Sequence, residues 1–269
     1  MRPYTTICIQ DDVIEARASC RGSAGWPKNP REWRGQQALQ QEAILLRTEQ
    51  IAPNTRHFVF EVKGIPQFDF VPGQFVSLTE EFEGKPITRA YSIASLPDGN
   101  RFELCVNEVA GGRFSPHLFR MTPGESVPMR GPVGTFTLRS LERDALFVAT
   151  GTGVAPMRGW LLHALGQKAS GRFQLLFGVR QEENLLYRAE FEGLAGQHEN
   201  FQFAPTLTRP SSHWTGRTGR VQEHLDELLG ARRDLDIYIC GLKDMVNSVR
   251  EELKTRGFDR KQIIVEKYD

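Results

Sequence analysis

The run Ala145-Leu146-Phe147-Val148-Ala149-Thr150-Gly151-Thr152-Gly153-Val154-Ala155-Pro156 decides the fold. Its apolar start, Ala145 to Ala149, reads as a strand, Gly151 and Gly153 permit a tight turn and close backbone approach, and Pro156 opens a helix at a position where a missing N–H costs nothing. Free N–H groups at such a helix start face an anion, and a pyrophosphate fits there. Pro156 replaces the third glycine of the common G-x-G-x-x-G pattern. Short glycine motifs also occur as plain structural turns, so the preceding strand and following helix carry the inference.

Beyond this turn, apolar strands alternate with helical stretches. Phe173 to Val179, Phe201 to Thr206, Ile237 to Cys240 and Ile263 to Glu266 read as strands, and Pro156 to Leu165, Val221 to Leu229 and Lys243 to Arg256 as helices. That alternation predicts a parallel sheet covered on both faces. Upstream the period is two. His57 to Val62, Gln74 to Leu78, Thr88 to Ser95 and Arg101 to Val106 are separated by Pro72-Gly73, Pro97-Asp98-Gly99, Pro123-Gly124 and Gly131-Pro132. Short strands at this spacing predict an antiparallel β-barrel. The expected architecture is an irregular extension over 1–40, a six-stranded antiparallel barrel over 41–141, and an α/β parallel-sheet nucleotide-binding domain over 142–269.

Composition narrows the function. The chain has 269 residues, 39% of them hydrophobic, with 34 basic against 33 acidic residues. Nothing global therefore selects nucleic acid or an anionic membrane. No segment approaches the ~20 apolar residues that span a bilayer, and a cytoplasmic monomer is expected. Cys8, Cys20, Cys105 and Cys240 form no C-x-x-C, and the histidines are equally scattered. No metal site and no iron–sulfur centre are expected from this pattern. Trp26 and Trp33 in the extension are candidates to pack on the barrel or to cover a bound group.

A second motif, Arg89-Ala90-Tyr91-Ser92, precedes the glycine turn. Alone it reads as an alternating barrel strand. Together with Gly111-Gly112-Arg113-Phe114-Ser115, Tyr238-Ile239-Cys240-Gly241 and the ending Val265-Glu266-Lys267-Tyr268-Asp269, it resembles the ferredoxin-NADP reductase superfamily over about residues 42 to 269. The resemblance implies an FAD barrel followed by an NADP domain. It places Arg89 on the FAD pyrophosphate, Tyr91 against the flavin and Ser92 near the flavin N5, with Ala90 and Val106 also lining the cofactor. Gly112, Arg113, Phe114 and Ser115 correspond to the second flavin-phosphate segment. Cys240 and Gly241 would lie beside the nicotinamide, Tyr268 over the flavin, and Glu266 in proton handling or partner coupling. The catalytic set implied is Ser92, Cys240, Glu266 and Tyr268.

For the nicotinamide nucleotide, Thr152, Gly153 and Val154 are the expected phosphate turn, and Arg180, Thr208, Arg209 and Arg220 the expected 2'-phosphate site. Each arginine alone reads as a solvated loop cation; at the ends of successive strands they favour NADPH. Val221 and Gln222 stand where plant-type members carry an adenine-stacking tyrosine, and Trp214-Thr215-Gly216 also occurs in NADH-using oxygenase reductases. The function implied is hydride transfer between NADP(H) and FAD, and single-electron transfer between FAD and a separate ferredoxin or flavodoxin. The reductase component of a multicomponent oxygenase or desaturase is the alternative, and a non-catalytic flavin-binding redox sensor a third reading.

Overall fold

The computed structural model describes residues 39–268. The expected extension up to residue 38, with Trp26 and Trp33, lies outside them, as does Asp269. The first sheet comprises β1 (Leu39–Ala52), β2 (Thr55–Val62), β3 (Phe75–Phe82), β4 (Lys85–Ser92), β5 (Arg101–Asn107) and β6 (Ser126–Val133), in the order β4-β3-β6-β1-β2-β5. Every pairing within it is antiparallel. The bridge between Ile93 and Leu104, and the Ala94 N–H donated to Glu103 O at 2.8 Å, join its two ends into a barrel. Period two explains the closure: Phe58, Phe60 and Val62 on β2, and Phe102, Leu104 and Val106 on β5, all point into one core. Helix α1 (Phe114–Arg120) packs Phe114 and Leu118 on it.

The second sheet comprises β7 (Ala145–Thr150), β8 (Phe173–Val179), β9 (Phe201–Leu207), β10 (Arg217–Thr218), β11 (Asp236–Leu242) and β12 (Ile263–Tyr268). Its order is β10-β9-β8-β7-β11-β12, and all pairings are parallel. Helices α2 (Ala155–Gly166), α3 (Arg188–Gln197), α4 (Leu225–Leu229) and α5 (Lys243–Thr255) complete the unit. The apolar runs are apolar because both faces are covered. On β7, Ala145, Phe147 and Ala149 enter one core while Leu146 and Val148 enter the other; on β11, Tyr238 and Cys240 separate in the same way from Ile237 and Ile239. Among the described residues no helix is long and apolar enough to cross a membrane.

Two local expectations change. Val221–Leu229 is a 3-10 turn over Val221–His224 followed by the short α4, although Val221, Leu225, Leu228 and Leu229 keep their burial. Helix α3 was not anticipated: within it only Phe191 is fully buried, and two glycines, Gly193 and Gly196, weaken the helical pattern.

Helix α2 fastens the sheets together. Ten of its twelve residues are buried. Trp160 packs its ring against Phe136, Phe147 and Tyr238, with centroids 4.9, 5.5 and 5.0 Å away. Its indole N–H donates to Pro72 O at 2.8 Å. Next to Pro72, Gly73 has φ +96°, and a Cβ there would stand 2.1 Å from Phe136 O and 2.5 Å from Trp160 Nε1. Gly73→Ala therefore combines left-handed backbone strain with overpacking, at a cost on the order of 2–4 kcal/mol. The expected outcome in a thermal melt is a midpoint several degrees lower; an unchanged midpoint would contradict this packing.

Candidate active site

The site is assembled at the carboxyl ends of the parallel strands, where they meet the exit of β4. Ser92, the last residue of β4, is buried. Its Oγ donates to Glu266 Oε1 at 3.0 Å and accepts from the Tyr268 hydroxyl at 2.8 Å. Glu266 and Tyr268 lie two apart on β12 and so share a face of that strand. In register with them on β11, Cys240 pairs with Glu266 and Leu242 with Tyr268. Ser92, Cys240 and the Glu266–Tyr268 pair, from three stretches far apart in sequence, thus form one cluster.

Burial governs its electrostatics. The Glu266 carboxyl is pushed above the usual carboxylate range by desolvation, against the Ser92 hydrogen bond that lowers it. Desolvation also raises the Cys240 thiol, with the Glu266 charge adding to the effect. The Tyr268 phenol is raised for the same first reason, helped by Cys240 and Glu266. Cys240 is consequently a neutral thiol at neutral pH, suited to contact and polarity rather than to nucleophilic attack. Glu266 is the group here whose proton is exchanged most readily, and Ser92 fixes its carboxyl by a hydrogen bond.

The barrel side presents a ledge. Arg89 and Ala90 are exposed on β4, and Tyr91 is half-buried with its ring 6.2 Å from Phe114. Burial raises the Tyr91 phenol to about 12, so it remains an uncharged ring with a hydroxyl. The Arg89 guanidinium returns to its own neighbour, Thr88 O, at 2.8 Å. Arg113 pairs with Glu83 at 2.8 Å on the surface. Ser115 Oγ accepts the Val109 N–H at 2.9 Å, which ties the Gly111-Gly112 loop to α1 while leaving the hydroxyl hydrogen free to be given elsewhere. Val106, expected to line the cofactor, buries its side chain in the barrel core instead. A half-exposed aromatic, a cation and a bound-back glycine loop around the buried Ser92 form a donor set that suits a flat, phosphorylated cofactor such as FAD.

On the nucleotide side, residues 151–154 wind into a 3-10 turn that leads directly into α2. Gly153 has a structural reason to be glycine: a Cβ would stand 2.3 Å from Cys240 O and 2.9 Å from Gly241 N. The turn is therefore pressed against the end of β11 that carries Cys240, with Thr152 and Val154 on either side. Thr150, not among the site residues expected from the sequence, points a buried Oγ1 that has no hydrogen-bond partner among the described residues into the same corner, where a Cβ on Gly241 would stand 2.4 Å from it. An orphaned hydroxyl beside a glycine turn fits a polar nucleotide group.

Further along the edge, Arg180, Thr208, Arg209, Gly219, Arg220 and Glu223 line a cavity of about 490 Å³. The backbone brings them together: Arg209 N–H donates to Arg180 O at 2.8 Å, and Gly219 N–H to Leu207 O at 2.8 Å. No ion pair among the described residues neutralises Arg180, Arg209 or Arg220, whereas the nearby Arg217 is held by Glu227. The Glu223 carboxylate is turned back onto the Arg220 N–H at 2.9 Å. Three guanidinium groups against one carboxylate leave the cup cationic. Val221 is buried against Gly178 and offers no stacking surface.

A buried polar cluster at the sheet junction also escaped the sequence reading. Arg158, on α2, gives Nε and Nη2 to the Glu190 carboxylate at 2.6 and 3.2 Å, and Nη1 to Glu103 Oε2 at 2.6 Å and Ala94 O at 2.7 Å. Its guanidinium lies 4.7 Å from the Tyr187 ring centroid, and the Tyr187 hydroxyl meets His57 Nδ1 at 2.9 Å. Desolvation pushes His57 down to about 4, against the raising effect of Glu103, so it is neutral at physiological pH. The available signal was a single charge in the apolar run Ala155-Pro156-Met157-Arg158-Gly159-Trp160-Leu161-Leu162, since a buried cation must find anions.

Comparison with known proteins shows the family and its two kinds of domain. A family described as the oxidoreductase FAD-binding domain matches residues 42–138, and one described as the oxidoreductase NAD-binding domain matches residues 147–251. Ferredoxin--NADP reductase B of Sorangium cellulosum is 41% identical over 242 residues, covering 87% of this chain and 99% of that protein. The toluate 1,2-dioxygenase electron transfer component of Pseudomonas putida is 30% identical over 234 residues, covering 87% of this chain and 68% of that one. Among solved structures, the Amycolatopsis cytochrome P450 reductase GcoB superposes with a TM-score of 0.78 at 28% identity, covering 86% of this chain and 70% of that one. A ferredoxin NADP+ reductase from Neisseria gonorrhoeae with bound FAD and NADP shares the fold, with a TM-score of 0.74 at 21% identity over 85% of this chain and 98% of that one. The chain belongs to the ferredoxin-NADP reductase superfamily and is an oxidoreductase with FAD-binding and NAD(P)-binding domains.

Proposed function

We propose that this protein is an NADPH-selective reductase that exchanges single electrons with a separate ferredoxin or flavodoxin, its flavin side formed by residues 41–141 and its nicotinamide side by 142–269. The observation that carries the choice of NADPH is the cup of Arg180, Arg209 and Arg220, unneutralised among the described residues, at the carboxyl ends of the sheet. The likeness to a ferredoxin-NADP reductase at 41% identity over nearly its whole length supports the kind of partner. The relation to an electron transfer component of a dioxygenase at 30% identity, together with the Trp214-Thr215-Gly216 segment, keeps an oxygenase component as the second reading.

The chemistry supplied by bound FAD is acceptance of a hydride and release of its electrons one at a time. The chain's residues do the rest. The ledge of Arg89 to Tyr91 and the Gly112 to Ser115 loop bind and orient the cofactor. Thr152, Gly153 and Val154 hold the coenzyme pyrophosphate, while Arg180, Thr208, Arg209 and Arg220 grip its 2'-phosphate. Cys240 and Gly241 border the nicotinamide. Tyr268 covers the ring-binding surface and must give way as nicotinamide enters. Ser92 and Glu266 hold a proton beside the reacting atoms.

Replacing Arg209 by Gln removes one charge-assisted phosphate contact worth about 1.5–3 kcal/mol, so the NADPH to NADH ratio of kcat/KM is expected to fall roughly tenfold to a hundredfold. An unchanged ratio in both Arg209→Gln and Arg220→Gln would contradict the clamp. For Glu266, burial sets the folded pKa above the ordinary carboxylate value, so its protonated form persists into weakly acidic solution. A limb above the ordinary carboxylate range is therefore expected in the pH profile of flavin reduction, and Glu266→Gln should abolish it. Persistence of that limb in the variant would remove Glu266 from proton handling.

A further inference from the structure

Helix α2 begins at the glycine turn and, one turn later, reaches the barrel a few residues past Ser92. Its second turn makes the contact. Arg158 donates to Ala94 O, two residues after Ser92, and the same Nη1 meets Glu103, whose O accepts the Ala94 N–H at 2.8 Å. On the adjacent position Gly159 approaches so closely that a Cβ would stand 3.1 Å from Ser95 O. At the other end of the helix path, Gly153 presses on the Cys240 carbonyl. One short rigid element therefore spans the coenzyme turn, the Cys240 strand end and the Ser92 strand exit.

Arg158 is also overdetermined. Its fork is bidentate to Glu190 on α3, and its plane lies over Tyr187, whose backbone adopts the left-handed φ of +56°. A non-glycine residue held in that region is maintained by its surroundings. The anchoring of Tyr187 by His57 on β2 returns the network to the barrel. Burial disfavours the Arg158 charge, but Glu190 and Glu103 more than offset this. The cation is thus a fixed strut between both sheets.

We infer that Arg158 is a positioning residue for hydride transfer, setting through the Ala94 carbonyl the placement of Ser92 relative to the coenzyme turn. The inference rests on the reading of the site as an NADPH-to-flavin exchange centre. Ground-state binding of the coenzyme uses other residues, so loss of the strut misplaces the reacting groups without weakening the phosphate contacts. Misplacement by an ångström costs up to about a hundredfold in rate.

The test compares the full-length, FAD-loaded protein with Arg158→Lys, which keeps the charge and loses the fork. Three quantities are read: the NADP+ dissociation constant, the maximal rate of flavin reduction by NADPH with its deuterium isotope effect, and peptide-level hydrogen exchange over residues 92–96 and 155–160. The expected result is a dissociation constant within about a factor of two, a rate lower by tenfold to a hundredfold, a larger isotope effect, and faster exchange in both segments. A maximal rate close to the parent's would overturn the inference and leave Arg158 a scaffold ion pair. So would a rate that falls only in proportion to coenzyme affinity. Glu190→Gln, which retains an acceptor oxygen and the arginine, is read in the same way should the lysine variant not fold; a smaller shift in the same direction is expected, and no shift contradicts the strut. If the parent is not reduced by NADPH, the functional reading fails, while unchanged exchange in the variants would by itself sink the inference.

Discussion

A charge buried between two sheets must be met by anions from both, and the structure is organised around the way Arg158 meets this requirement. The free energy of stripping water from a guanidinium is offset only by well-formed bonds to carboxylates and carbonyls. Glu103 and Ala94 come from the barrel and Glu190 from the parallel-sheet unit. Wherever those partners are satisfied, α2 is seated, and with it Trp160 between Phe136 and Tyr238. The glycine turn and the ends of β7 and β11 follow from that seating, because the turn is the first part of the same chain path.

The site exploits this junction. Parallel strands all deliver their carboxyl ends to one edge, so Thr150, Cys240, Glu266 and Tyr268 arrive together although they come from different parts of the chain. The barrel contributes Ser92 from an edge strand whose last residue turns inward. The Tyr268–Ser92–Glu266 chain of hydrogen bonds crosses from one sheet to the other, and burial keeps the thiol and the phenol neutral and the carboxyl easily protonated. At the far end of the edge the arginine cup gathers charge in a region that is open to solvent, apart from the buried groups.

Much of the fold was legible because its signals are local. The runs at β7, β8 and β11 are apolar without alternation, as strands covered on both faces must be, and the barrel strands alternate as strands with one buried face do. Helix α3 was illegible for an equally physical reason: most of its surface is solvated, two glycines interrupt it, and no side-chain cap marks its start at Tyr187. The candidate site was legible only as a set of short motifs. Nothing in the vicinity of Ser92 in sequence announces a carboxylate 174 positions away; the motif resemblance put both residues in one catalytic set, and the fold brings them to hydrogen-bond distance, 3.0 Å. Arg158 carried a signal of its own, a lone cation in an apolar helix, but its partners on β5 and α3 are non-local and cannot be read from the chain.

In the proposed function, a coenzyme held by the arginine cup and the glycine turn delivers hydride to a flavin beside Ser92. Anaerobic mixing of the purified FAD-loaded protein with NADPH and, separately, with NADH, following the flavin absorbance, tests it most directly. Fast bleaching by NADPH and slow bleaching by NADH are expected. Equal or faster bleaching by NADH would contradict the phosphate clamp, and a protein bleached by neither would contradict the site itself.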